Sequence, residues 1–176
     1  MNQSRKVKEY NSKLIRWITW LPAIIIMFLI FLFSAKPAVE SEATSTPLAI
    51  ALLNTFELVF GTIEKANQQS ALDTASFFIR KAAHITEYLL LAVSISWPLW
   101  KRGLEGKKLV ITSFLFSVMY AATDEFHQLF VKGRSGSFKD VGIDSIGCLL
   151  GAMLFYVVAK LCRKASSKKK LVKQDY

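Results

Sequence analysis

Long apolar blocks alternate with clusters of lysine and arginine along this chain, and that segregation constrains the fold more than any other feature. The first block, Trp17 to Phe33, runs seventeen residues without a charge. At about 1.5 Å each it reaches roughly 25 Å, enough to cross the hydrocarbon of a bilayer. Five basic residues precede it: Arg5, Lys6, Lys8, Lys13 and Arg16. Before Ser34-Ala35-Lys36 stands a bulky Phe33, where a signal peptidase needs a small residue. The block therefore reads as a retained anchor.

Three further blocks follow. One runs from about Arg80 to Trp100 and ends in Trp97, Trp100, Lys101 and Arg102, an aromatic belt meeting a basic loop. The next runs from about Leu109 to Phe130, polar in its last two turns, and the last from Val141 to about Leu161. Lys and Arg are dense at the amino terminus, in the 101–108 loop and in the tail after Leu161. Four spans put all three on the cytoplasmic side; three or five would put one outside. The expected fold is all-α: a four-span transmembrane helical bundle in the cell membrane, with both termini cytoplasmic. Residues 1–16 form a basic cytoplasmic amino terminus, 17–161 the membrane domain and 162–176 a basic tail.

The connector 36–79 is richer in acid and is expected outside. Ser45-Thr46-Pro47 places a capping residue before a proline, a helix-start signal. Residues 47–60 are expected to form an additional external interfacial helix, since about fourteen residues are short for a span.

The net charge of +10 raises nucleic acid as a partner. The lysines sit beside apolar blocks, however, so they read as orientation signals and nucleic acid is excluded. Two cysteines, Cys148 and Cys162, both fall in or beside the last span. That argues against a disulfide framework or a zinc site.

Ionisable groups within spans are costly and usually face a bundle interior or a water-filled cavity. On the second span Arg80, His84 and Glu87 share one helical face, flanked by Lys81 and Tyr88. On the third, Asp124 and Gln128 share a face with Tyr120, Ser117 and Ser113; His127 sits to one side and Glu125 points elsewhere. On the fourth, Asp140 and Asp144 share a face with Gly147 and Gly151, whose GxxxG spacing lets helices approach closely. All three groups lie at the external ends of their helices, so they are expected to converge.

Four readings of that convergence stay open. Arg80, Lys81, Lys132, Arg134 and Lys139 balance Glu87, Asp124, Glu125, Asp140 and Asp144, which suits an ion-pair network fixing helix register. The same residues suit a pocket for an anionic headgroup, with Arg80, Lys81 and Arg134 on phosphate or carboxylate. A catalytic reading takes His84 or His127 as general base, oriented by Glu87 or Asp124. A metal reading rests on His84-x-x-Glu87 and Glu125-x-His127. With only two histidines and several cations nearby, no metal or other cofactor is assigned.

Arg80-Lys81-x-x-His84-x-x-Glu87-Tyr88, Asp124-Glu125-Phe126-His127-Gln128-x-Phe130-x-x-Gly133-Arg134, and Asp140-Val141 with Asp144-x-x-Gly147 together resemble the VanZ-like family. Phe33-Ser34-x-x-Pro37 is similar too, with Ala35-Lys36 where a more polar pair is common. The likeness spans roughly residues 17–160. It implies a cell-envelope membrane protein of Gram-positive bacteria, of the kind that raises resistance to teicoplanin. Expected partners are membrane lipids, a lipid-linked cell-wall precursor or the lipoglycopeptide itself. A membrane enzyme working on a lipid substrate and a partner-binding subunit stand as alternatives.

Overall fold

The computed structural model describes residues 16–172, with side chains through residue 165. Most of the basic amino terminus and the end of the basic tail, both used in the orientation argument, lie outside the described residues. Five long helices follow in order: α1 (Leu21–Ser34), α2 (Ala38–Phe60), α3 (Lys65–Lys101), α4 (Gly106–Gln128) and α5 (Phe138–Val172). The all-α expectation holds among the described residues. Four segments are long and apolar enough to cross a membrane: Arg16–Ser34, Ala38–Phe60, Gly106–Gln128 and Phe138–Ala165.

Helix α1 carries no charge and exposes Ile24, Ile25, Phe28, Leu29 and Leu32 around its circumference. Such all-round apolarity belongs in lipid. Its inner edge is the line Ala23, Ile30, Ser34. Pro37, extended at φ −53° and ψ 152°, separates α1 from α2.

Helix α2 corrects the expectation for 47–60. It begins at Ala38, and Pro47 lies inside it. Pro37 serves as the start signal instead, because its extended ψ cannot continue a helix. Pro47 removes one amide from the ladder. The hydroxyls nearby do not cap; Ser45 Oγ and Thr46 Oγ1 donate back to the Glu42 carbonyl at 3.0 and 2.8 Å.

The expected second span is only the latter half of α3. That helix has 37 residues, about 55 Å of unbroken rod. Its polar stripe explains why α2 reaches span-like hydropathy and α3 does not. Direction separates the two. Arg102, at the end of α3, donates to Arg16 O at 2.6 Å and to Thr19 Oγ1 at 3.4 Å. Arg80, midway along α3, donates to Ser45 Oγ at 3.4 Å. Both α1 and α2 thus run antiparallel to α3, and α2 continues the course of α1 instead of turning back. The first half of α3 and α2 form a hairpin closed by Gly61–Glu64. By length and apolarity α1, α2, α4 and α5 qualify as spans and α3 does not, although the latter half of α3 packs among them.

The core lies along α3, where Tyr88, Leu91, Ile95 and Leu99 repeat every three or four residues against Ala23, Ile30, Leu109, Ala121 and Cys148. The most extensive packing is between α3 and α5. Gly147 and Gly151 make it possible. A Cβ on Gly147 would lie 2.2 Å from the Ile85 carbonyl oxygen, and one on Gly151 2.2 Å from that of Leu89. In lipid, helix association rests on such van der Waals fit, because the tails are as apolar as the side chains. Cys148 and Cys162 are both free.

Candidate functional site

At the end of the bundle remote from Lys101 the three polar stripes meet. Tyr88 is fully buried, and its hydroxyl donates to Asp124 Oδ2 across 3.1 Å. Gln128 Nε2 donates to Asp124 Oδ2 at 3.1 Å and to Glu125 Oε1 at 3.2 Å. Gln128 Oε1 accepts from Arg134 at 3.3 Å. A continuous chain of hydrogen bonds therefore links α3, α4 and the turn after α4. Glu125 also accepts from the Ser137 amide at 2.9 Å, which draws that turn back onto α4. Gly136 is required there, since a Cβ would lie 2.1 Å from the Glu125 carbonyl oxygen.

Arg134 is held by neutral acceptors. Its Nε donates to Lys36 O at 2.9 Å and one terminal nitrogen to Phe33 O at 3.2 Å. A cation on the last carbonyls of a helix is favoured by the helix dipole and satisfies orphan acceptors, here those at the end of α1. Burial lowers the Arg134 pKa from the ordinary arginine value, while Asp124 and Glu125 act in the opposite sense.

Charge pairing is sparser than the balanced count of five against five suggests. Lys81 Nζ meets Asp140 Oδ1 at 2.6 Å. His84 Nδ1 lies 3.9 Å from Asp144 Oδ1, too long for a hydrogen bond and an ion pair only with the imidazole protonated. Among the described residues, Arg80 and Arg134 have no carboxylate within 4 Å. Asp124 Oδ1 and Asp144 Oδ2 are buried and accept no hydrogen bond. The hydrogen-bond half of the network reading is present; the ion-pair half reduces to Lys81–Asp140 and the His84–Asp144 approach.

Two cavities adjoin across Arg80, His84, Arg134 and Ser41. The first, about 310 Å³, lies where the end of α1 and the start of α2 meet α3. Ile30, Phe33, Leu48 and Ile79 give it an apolar wall, and Lys36, Glu87 and the two arginines a charged one. The second, about 250 Å³, is bounded by Lys81, Glu42, Glu125, Gln128, Asp140 and Asp144. Tyr88 and Asp124 lie behind these walls. His127 does not join them: its ring stacks on Phe31 of α1 with centroids 4.7 Å apart. His127 thus lines neither cavity, whereas His84 lines both.

Residues 19–159 match the VanZ/LLP1 family. The chain belongs to that family. No curated protein and no solved structure matches it. All three motif blocks lie inside the region matched to the VanZ family; the first two supply Arg80, His84 and Arg134 to the wall shared by both cavities, and the third supplies Asp140 and Asp144 to the second cavity alone.

Sequence reasoning missed Lys36, Ser41, Ser45 and Leu48, which complete the first cavity from the connector. The signal was Phe33-Ser34-x-x-Pro37, which fixes where α1 stops and how α2 starts. No group of three or more His, Cys, Asp or Glu side chains able to hold a metal ion occurs among the described residues.

Proposed function

We propose that this VanZ-family protein sits in the cell membrane with both termini cytoplasmic, and that its first cavity, at the outer face, holds an anionic amphiphile. The observation that carries this reading is the pairing, in one cavity, of an apolar wall with two arginines that have no carboxylate partner among the described residues. A guanidinium binds phosphate or carboxylate in bidentate geometry and is less strongly hydrated than an ammonium, which suits a partly buried site. Ile30, Phe33, Leu48 and Ile79 offer the adjoining surface to an acyl chain. The orientation is supported by Lys101, Arg102, Lys107, Lys108, Lys160 and Arg163, which lie at or near the opposite end. Through this site the protein modulates susceptibility to a lipoglycopeptide of the teicoplanin type, by holding a lipid, a lipid-linked wall precursor or the lipidated antibiotic.

The test is the double substitution Arg80→Gln/Arg134→Gln. Native mass spectrometry of the gently purified protein should show bound anionic lipid on the parent chain and its loss from the variant. In cells, the variant should shift the teicoplanin inhibitory concentration to that of an empty vector. Retention of the same lipid and the same inhibitory concentration by a correctly inserted variant sinks the proposal. A second reading, a membrane enzyme with His84 as general base oriented by Asp144, is favoured by their 3.9 Å approach on the cavity wall. It requires His84→Gln to abolish the cellular effect while lipid binding persists.

A further inference from the structure

The two cavities differ in charge, and the difference orders the ligand. Facing the first are Lys36, Arg80 and Arg134 against a single acid, Glu87. Facing the second, the cations Arg80, Lys81 and Arg134 are outnumbered by Glu42, Glu125, Asp140 and Asp144. The arginines belong to both walls, so an anion bound by them sits at the boundary. On one side of that anion lies apolar surface. On the other lie carboxylate oxygens, which only accept hydrogen bonds. One of them, Asp144 Oδ2, is buried without a donor among the described residues, on a side chain that is 2% exposed. A buried acceptor left unpaired is costly, and a ligand donor would relieve it. Volume points the same way. Small-molecule pockets usually run from about 300 to 1,000 Å³, and neither cavity alone much exceeds the lower limit.

Resting on the reading of the first cavity as an amphiphile site, we infer that the ligand is a phosphodiester lipid whose headgroup carries hydrogen-bond donors beyond the phosphate. The acyl chain lies along Ile30, Phe33 and Leu48. The phosphate bridges Arg80 and Arg134. The headgroup's hydroxyls or primary ammonium enter the second cavity and donate to Asp144 and Glu42. A phosphodiester fits better than a monoester because it links a tail on one side to a headgroup on the other.

Two matched lipid pairs test this in detergent micelles with the full chain, by native mass spectrometry or lipid titration. Phosphatidylglycerol and phosphatidylmethanol carry the same charge and differ in headgroup hydroxyls. Phosphatidylethanolamine and phosphatidylcholine are both zwitterionic and differ in N–H donors. In each pair the donor-bearing lipid should bind about tenfold tighter, the factor expected of one well-made hydrogen bond to a charged group. Glu42 is exposed, so Glu42→Gln should leave folding intact. It should narrow the ethanolamine-over-choline ratio and leave phosphatidylmethanol binding unchanged. Glycerol phosphate, which has no tail, should bind far more weakly than any of the lipids.

Equal binding within both pairs overturns the inference while leaving the anionic-amphiphile reading in place. Equal binding of glycerol phosphate and phosphatidylglycerol overturns it too, since the tail would then contribute nothing. If no lipid binds, or if Arg80→Gln/Arg134→Gln binds all of them as the parent does, the underlying reading falls and this inference falls with it.

Discussion

Gly147 and Gly151 set how closely α5 lies against α3, and alanine at Gly147 should force the helices apart by an amount the structure specifies. The added Cβ would start 2.2 Å from the Ile85 carbonyl oxygen and 3.0 Å from its carbon. Real Cβ atoms essentially never come nearer than 3.0 Å to a neighbour, and the obstacle is backbone that cannot swing aside. The helices must therefore separate locally by about 0.8 Å. A gap of 0.5–1 Å forfeits a quarter to a half of each dispersion well along the seam. Overpacking of this kind costs about 1–3 kcal/mol. Gly142, on the same helix, provides the control: nothing lies within 4 Å of the position its Cβ would take. Gly142→Ala should be neutral or stabilising by up to about 1 kcal/mol, from helix propensity alone. The assay is the folded fraction during titration with a denaturing detergent, monitored by tryptophan fluorescence. If Gly147→Ala matches Gly142→Ala within error, the close approach of α3 and α5 is wrong.

Three further outcomes follow from the site and the opposite end of the bundle. Tyr88→Phe deletes one of the two donors to Asp124 Oδ2 and should cost about 1–3 kcal/mol in the same assay; an unchanged midpoint would show that the buried bond contributes nothing. Lys81 and Asp140 are both partly exposed, so a double-alanine cycle should give a coupling of about 0.5–1 kcal/mol, and a coupling of zero would reduce the 2.6 Å contact to mere proximity. At the basic end, hydrogen bonds from Arg163 hold the Glu105 pKa below its ordinary value of 4.5. A depressed carboxyl contributes stability above its unfolded pKa and loses it as pH falls through the folded one. Thermal stability should thus decline below about pH 4.5, and Glu105→Gln should remove that part of the decline; an identical acid profile in the variant contradicts the pairing.

Period and charge carried most of the bundle into the sequence. Ionisable groups on faces of α3, α4 and α5 were readable because an amphipathic stripe inside an apolar helix has only the bundle interior to face. The coincidence of Asp144 with Gly147 on one face likewise anticipated close packing on α3. The connector was less legible. Hydropathy does not record direction, so nothing in residues 38–60 said that α2 would continue the course of α1 and lend Ser41 and Ser45 to the cavity. Thr46-Pro47 misled because a proline preceded by a hydroxyl can start a helix or be tolerated inside one, and the earlier Pro37 decided the matter. His127 was ambiguous by angle alone; packing on Phe31 turned it toward α1. Arg134 lies in a turn without periodicity, where no wheel could show that its partners would be Phe33 O and Lys36 O.

The long third helix has a mechanical consequence. Between Lys65 and Pro98 it contains no proline and no glycine, so nothing in its sequence invites a kink there. Its latter half is clamped in the core through Tyr88, Leu91 and Ile95. The stretch before Arg80, about fifteen residues or roughly 22 Å, therefore projects as a rigid extension of the bundle, with Arg80 at its root.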